Sequence, residues 1–96
     1  MGQHVILEFA VIPEKRAEFI GMLNSVLHET LAYEGCQGVK VYSPEEDGSR
    51  LLLLEEWATK EDQVAYFNWR VETGLLEAIT PFLAGEPSVT WLTSHN

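Results

Sequence analysis

Tyr66, Trp69 and Arg70 come within reach of one another if the stretch carrying them is a helix, because residues three and four apart share a helical face. An arginine at the margin of such a face can stabilise a phenolate or enolate oxygen, and shielding from water strengthens that effect. Tyr66 can donate a hydrogen bond to a substrate oxygen. Trp57, Phe67 and Trp69 supply aromatic walls for a pocket, and Asn68 can orient an oxygen. Two types of residue are available as a base. Glu55 and Glu56 are neighbours on an expected strand and so point to opposite faces, which places at least one of them in a partly buried setting. A buried carboxylate has a raised pKa and can take a phenolic proton. Glu56 and His28 are the candidate bases, the histidine because it titrates near neutral pH.

Each of these residues also has a purely structural reading. Trp69 can fill the core while Arg70 pairs with Glu56 or Glu77. Tyr66 can satisfy its hydroxyl at the core edge, and Trp57 can close a strand by packing. The glutamates can bridge to Arg50 or Arg70, and His28 can lie idle on a helix surface. Both sets of readings stand open at this level. Ser, His and Asp form no recognisable nucleophile motif, and there is no phosphate loop, dinucleotide fingerprint or Cys/His metal spacing.

The elements that must position these residues follow from periodicity. His4–Ile12 is rich in Val, Ile and Phe and reads as a strand that is largely apolar on both faces. Pro13 suits the first turn of a helix running to about Tyr33, with Ala17, Ile20, Leu23, Leu27 and Leu31 as its stripe and Phe19, Val26 and Thr30 widening it. Gly35 follows as a helix stop. Cys36–Ser43 alternates as a strand, Pro44–Ser49 is a hairpin connection, and Arg50–Trp57 is the returning strand. Leu51–Leu54 are apolar at both parities, so that strand is expected to be covered on both faces. Thr59 can cap a helix whose stripe is Val64, Phe67, Val71 and Leu75. Gly74 breaks it, Leu75, Leu76, Ile79, Phe82 and Leu83 form a second short stripe, and Thr80 before Pro81 is disfavoured as helix. Pro87–Thr93 is the last strand.

The bulk properties narrow the classes of function. The 96 residues make one domain over 1–96, and 46% apolar content excludes disorder. The formal net charge is −9 and the six basic residues are scattered, so nucleic acid and anionic membrane are poor partners. Cys36 stands alone, which fits a reducing compartment, and the short apolar run Val5–Ile12 cannot span a bilayer. A cytoplasmic protein is expected.

The element order is therefore βαββαβ, a ferredoxin-like α+β sandwich with a four-stranded antiparallel sheet. Two helices cover one face of such a sheet. Apolar residues on the second face call for a cover, and the simplest is a second copy of the same sheet, giving a homodimer.

Several stretches together carry a family resemblance: the opening strand with VIPEKRAEF, YEGCQGVKVY, LLLLEEW, ATKEDQVAYFNWR and PFLAGEPSVTWL. Their order and spacing resemble the antibiotic biosynthesis monooxygenase domain, a dimeric α+β barrel family, along essentially the whole chain. The resemblance implies dimerisation through the sheets and a pocket between sheet and helices. It also implies cofactor-independent oxygenation of a small aromatic phenol, quinol or polyketide-like substrate. In that reading Arg70 is the electrostatic partner, Tyr66 a hydrogen-bond donor, His28 or Glu56 the base, and Trp57, Phe67, Asn68 and Trp69 hold the substrate. Many members carry a histidine where this chain has Tyr66, so no histidine role passes to that position. The Asn, Trp and His of haem-degrading members have no match at Leu7 or Glu8, Tyr66 and Leu76, so haem binding is not implied. A dimeric binding module for a small hydrophobic ligand, without turnover, is the reading from a different class.

Overall fold

Alternation and capping place the elements close to where the sequence reading puts them. In the computed structural model, which describes residues 2–95, the strands are β1 (Gln3–Ala10), β2 (Cys36–Tyr42), β3 (Arg50–Trp57) and β4 (Ser88–Leu92). The helices are α1 (Arg16–Ala32), α2 (Lys60–Glu72) and the short α3 (Leu75–Ile79), with 3-10 turns at Pro13–Lys15 and Thr80–Phe82. The sheet is antiparallel in the order β2-β3-β1-β4, so this is the expected α+β ferredoxin-like fold. No helix among the described residues is long and apolar enough to cross a membrane.

Punctuation residues act as their chemistry requires. The Thr59 hydroxyl accepts from the Asp62 amide at 3.1 Å and starts α2. Gly35 and Gly74 adopt φ of +88° and +85°, the left-handed region that favours glycine, just after α1 and α2. Beyond one-residue differences at strand ends, two stretches depart from expectation. β1 ends at Ala10 rather than Ile12, because Val11 and Ile12 turn to bond Ser49 and Phe82 across the end of the sheet. Thr80 is helical despite preceding a proline, and its hydroxyl donates to the Leu76 carbonyl at 2.8 Å.

Register decides which side chains meet. β1 pairs with β3 so that Val5 faces Glu55, Leu7 faces Leu53 and Phe9 faces Leu51. These residues, with Trp57, look toward the helices, and the odd positions of β3 are all buried. One buried cluster gathers Phe9, Val11, Phe19, Leu23, Leu51, Leu53 and Ile79. A second gathers Val5, Trp57 and Tyr66, ringed by Tyr33, Trp69 and Trp91. On the opposite face Ile6 pairs with Leu54, and Leu54 with Lys40, with no helix above them. Tyr42 and Leu92 stand exposed on this face.

α2 sits rotated from the stripe its apolar residues suggest, while α1 buries the expected face except at its two ends. In α2 the buried residues are Gln63, Tyr66 and Arg70, whereas Val64 and Val71 are 50% and 49% exposed. In α1 the buried residues are Phe19, Leu23 and Thr30, while Leu31 is 51% exposed and Ala17 is also outside. The shift of α2 is close to one residue's rotation, roughly 100° in an α-helix. It is sustainable because Tyr66 and Arg70, turned inward, bond each other and Thr30, and a satisfied buried polar group costs little.

Candidate functional site

The inward faces of α1 and α2 bring Thr30, Tyr66 and Arg70 together. Arg70 is only 5% exposed. Its Nε donates to the Tyr66 hydroxyl at 2.7 Å, and its two terminal nitrogens donate to Glu29 Oε1 at 2.9 Å, the Val26 carbonyl at 3.1 Å and Thr30 Oγ1 at 3.1 Å. The guanidinium also lies 4.6 Å from the Trp69 ring centre and 5.1 Å from that of Tyr66. Burial opposes its charge, but the bonds to Tyr66 and Glu29 outweigh that and push its pKa up. Arg70 is a fixed cation on α2.

The Tyr66 and Thr30 oxygens are 2.7 Å apart. The two hydroxyls carry two protons, and one suffices for the bond between them. The other remains for a third acceptor. Burial raises the Tyr66 pKa, against the opposing bonds from Thr30 and Arg70, so the phenol keeps its proton and acts as a donor.

Across from this pair, β3 presents Glu55, 2% exposed. Its Oε1 accepts from the Trp57 indole N–H at 2.9 Å. Burial raises its pKa, opposed by the Trp57 bond and by the charge of Arg70. A carboxyl in this setting binds a proton more tightly than an exposed one, which suits a base acting on a phenol.

Glu55, Thr30, Tyr66 and Arg70 all line one cavity of about 60 Å³. The rest of its wall is apolar: Leu7, Phe9, Val39 and Leu53 from the sheet, Leu23, Val26 and Leu27 from α1, Phe67 from α2, and Leu75, Leu76 and Ile79 from α3. Polar chemistry is thus limited to these four residues in an otherwise hydrocarbon chamber. Among the described residues, no three His, Cys, Asp or Glu side chains converge.

The sequence candidates divide into two groups. Arg70, Tyr66 and Phe67 face the cavity, and Trp57 and Trp69 stack around Tyr66 with ring centres at 5.0 and 6.1 Å. His28, Glu56 and Asn68 do not join them. His28 is exposed on α1, beside but outside the inward arc. Glu56 is on the open face of the sheet, 3.5 Å from His4, because alternation along β3 sends it opposite to Glu55 and Trp57. Asn68 lies on the outer side of α2 in a shallow depression with Lys60, Glu61 and Val64. Arg70 pairs with Glu29 rather than Glu56 or Glu77. Thr30 and Glu55 are the cavity groups that were not singled out as site residues. Strand parity was the available signal for Glu55, since it shares a face with Trp57.

The family model for antibiotic biosynthesis monooxygenase matches residues 3–71, from β1 through nearly all of α2. The chain belongs to the antibiotic biosynthesis monooxygenase family. No curated protein matches it. Among solved structures, a conserved protein from Methanosarcina mazei Go1 is 25% identical, with 99% of this chain and 94% of that one aligned at a TM-score of 0.88. A structure described as an antibiotic biosynthesis monooxygenase is 15% identical over 98% of this chain and 99% of its own, at 0.86. A protein from Mycobacterium tuberculosis is 22% identical over 100% and 97%, at 0.75. The fold is common to all three. The family match ends before α3, whose Leu75, Leu76 and Ile79 complete the cavity wall.

Proposed function

We propose that this chain is a cofactor-independent monooxygenase acting on a small aromatic phenol or quinol, with Glu55 as the base. The observation that carries the reading is a buried carboxyl, of raised pKa, facing an apolar cavity opposite a buried Arg70–Tyr66–Thr30 cluster. Glu55 removes the phenolic proton. The spare hydroxyl proton of the Tyr66–Thr30 pair bonds the resulting phenolate, and the fixed charge of Arg70 favours that anion. The electron-rich anion then reduces dioxygen. For a substrate bearing a methylene, one oxygen atom becomes the new carbonyl and the other leaves as water with the two methylene hydrogens. Membership of the family and the restriction of polar groups to these four residues of an apolar cavity support this reading. The test is oxygen uptake by metal-free protein with a panel of hydroquinones and anthrone-type phenols. Uptake above the buffer rate that falls in Arg70→Ala is the expected result. Uptake at the buffer rate, with no effect of Arg70→Ala, removes the enzymatic reading.

The active unit in this proposal is a homodimer in the cytoplasm. The uncovered Ile6, Leu54 and Leu92 face of the sheet supports the pairing, and the lone Cys36 supports a reducing compartment. A second reading is a binding module for a small hydrophobic ligand without turnover. It is favoured by the number of Arg70 N–H groups already bonded to protein acceptors. Native mass spectrometry separates the two: a retained aromatic that stays chemically unchanged in air supports the module.

A further inference from the structure

A cavity of about 60 Å³ is small for the proposed substrate. Ligand pockets commonly run to roughly 300–1,000 Å³, and a cavity of about 150 Å³ is one that takes benzene. Beside it lies a surface groove of about 420 Å³ whose wall includes Glu29, Trp69, Thr73 and Gly74. Val26, Arg70 and Leu75 line both spaces. The two compartments are therefore separated by a partition one side chain thick.

We propose that Leu75 is the specificity-determining part of this partition, and that the groove is the vestibule holding the aromatic body of a substrate whose hydroxyl reaches the cavity. This inference rests on the oxygenase reading for the hydroxyl end alone. Of the three shared residues, Arg70 is tied by four hydrogen bonds. Val26 lies within the 17-residue α1, and its carbonyl accepts one of those bonds. Leu75 packs against the apolar core cluster and is the first residue of the five-residue α3. It follows Gly74, where a left-handed backbone bends the chain and no atom lies within 4 Å of the place a side chain would occupy. Leu75 is thus the one part of the partition carried by a short helix rather than a long one. Trp69 supplies a ring surface in the groove, with the Arg70 guanidinium behind it. Removing the Leu75 side chain joins the compartments and admits larger ring systems.

The experiment is equilibrium binding of phenol and 2-naphthol under argon, read by ligand-observed NMR, to the wild-type chain, Leu75→Ala, Leu75→Val and Leu76→Ala. Leu76 lines the cavity but not the groove, so Leu76→Ala removes the same atoms without breaching the partition. Preference for 2-naphthol over phenol is expected to rise about tenfold in Leu75→Ala and less in Leu75→Val, with Leu76→Ala unchanged. Circular dichroism checks folding, and Leu75→Val decides the matter if Leu75→Ala does not fold. An unchanged preference in the folded Leu75 variants, an equal rise in Leu76→Ala, or no binding by any protein overturns the proposal. Binding is read without oxygen, so the two readings fail separately. A shifted preference with no oxygen uptake rejects the oxygenase alone, and uptake with an unshifted preference rejects the partition alone.

Discussion

Glu55 holds its carboxyl in a hydrocarbon wall with one indole N–H for support, and that has a consequence for stability as well as for chemistry. Its pKa is raised above the ordinary 4.5, so the folded state binds the proton more tightly than the unfolded chain does. The sign follows directly. Glu55 favours folding most below the ordinary carboxylate value, and that contribution is lost as pH rises through the folded pKa. Glu55→Gln, which cannot ionise, should gain in melting temperature relative to wild type as pH increases across this range, measured by calorimetry at a series of pH values. A constant difference at all pH values would contradict the burial of an ionisable Glu55. Residue types and spacing were enough to single out Tyr66 and Arg70. The buried carboxyl was not legible in the same way. Choosing Glu56 alongside Trp57 asks a strand to point consecutive residues to one side, which its pleat forbids. Thr30 was missed because a hydroxyl within an apolar stripe reads as filler until its partner on another helix is known.

At the scale of elements, hydrophobic spacing located α1 and α2 and the inward face of α1 but misplaced that of α2. Spacing counts apolar side chains and cannot register that Thr30, Tyr66 and Arg70 satisfy one another across two helices. The rotation makes a pair of substitutions diagnostic. Val64→Glu and Val71→Lys, at half-exposed positions, should each change stability by no more than about 0.5 kcal/mol in urea unfolding. Arg70→Ala strips bonds from buried Tyr66 and Thr30 and should cost on the order of 2–3 kcal/mol. The reverse order would restore the valine stripe as the core face. The two left-handed glycines provide a second contrast. A side chain at Gly74 meets open space, whereas one at Gly35 runs into Asp62. Gly74→Ala should cost only the backbone strain, about 1–2 kcal/mol, and Gly35→Ala should cost more, by the same unfolding measurement. Turn and cap positions such as Thr59, Gly35 and Gly74 were readable because each depends on its own residue's chemistry.

For the whole molecule, the fold was legible in the order of its elements and in the four leucines of β3. Leu51 and Leu53 fill the space beneath the helices, while Leu52 and Leu54 turn to the face that no helix covers. A second copy docking there puts two chains of net charge −9 against each other, so added salt should tighten the pairing by screening their repulsion. Light scattering at micromolar concentration should give twice the chain mass for wild type and the single mass for Leu54→Lys. A wild-type monomer would remove the pairing. The cavity was the least legible feature at this scale, because its walls come from three helices and three strands and its closing wall, α3, lies in a stretch with only a short apolar stripe. The measurement that bears most directly on the chemistry is oxygen uptake by metal-free protein with an anthrone-type phenol, wild type beside Glu55→Gln. With Glu55 as the base, uptake exceeds the buffer rate in wild type and falls by about 10²–10⁴ in the folded variant. Equal uptake by the two proteins would contradict it.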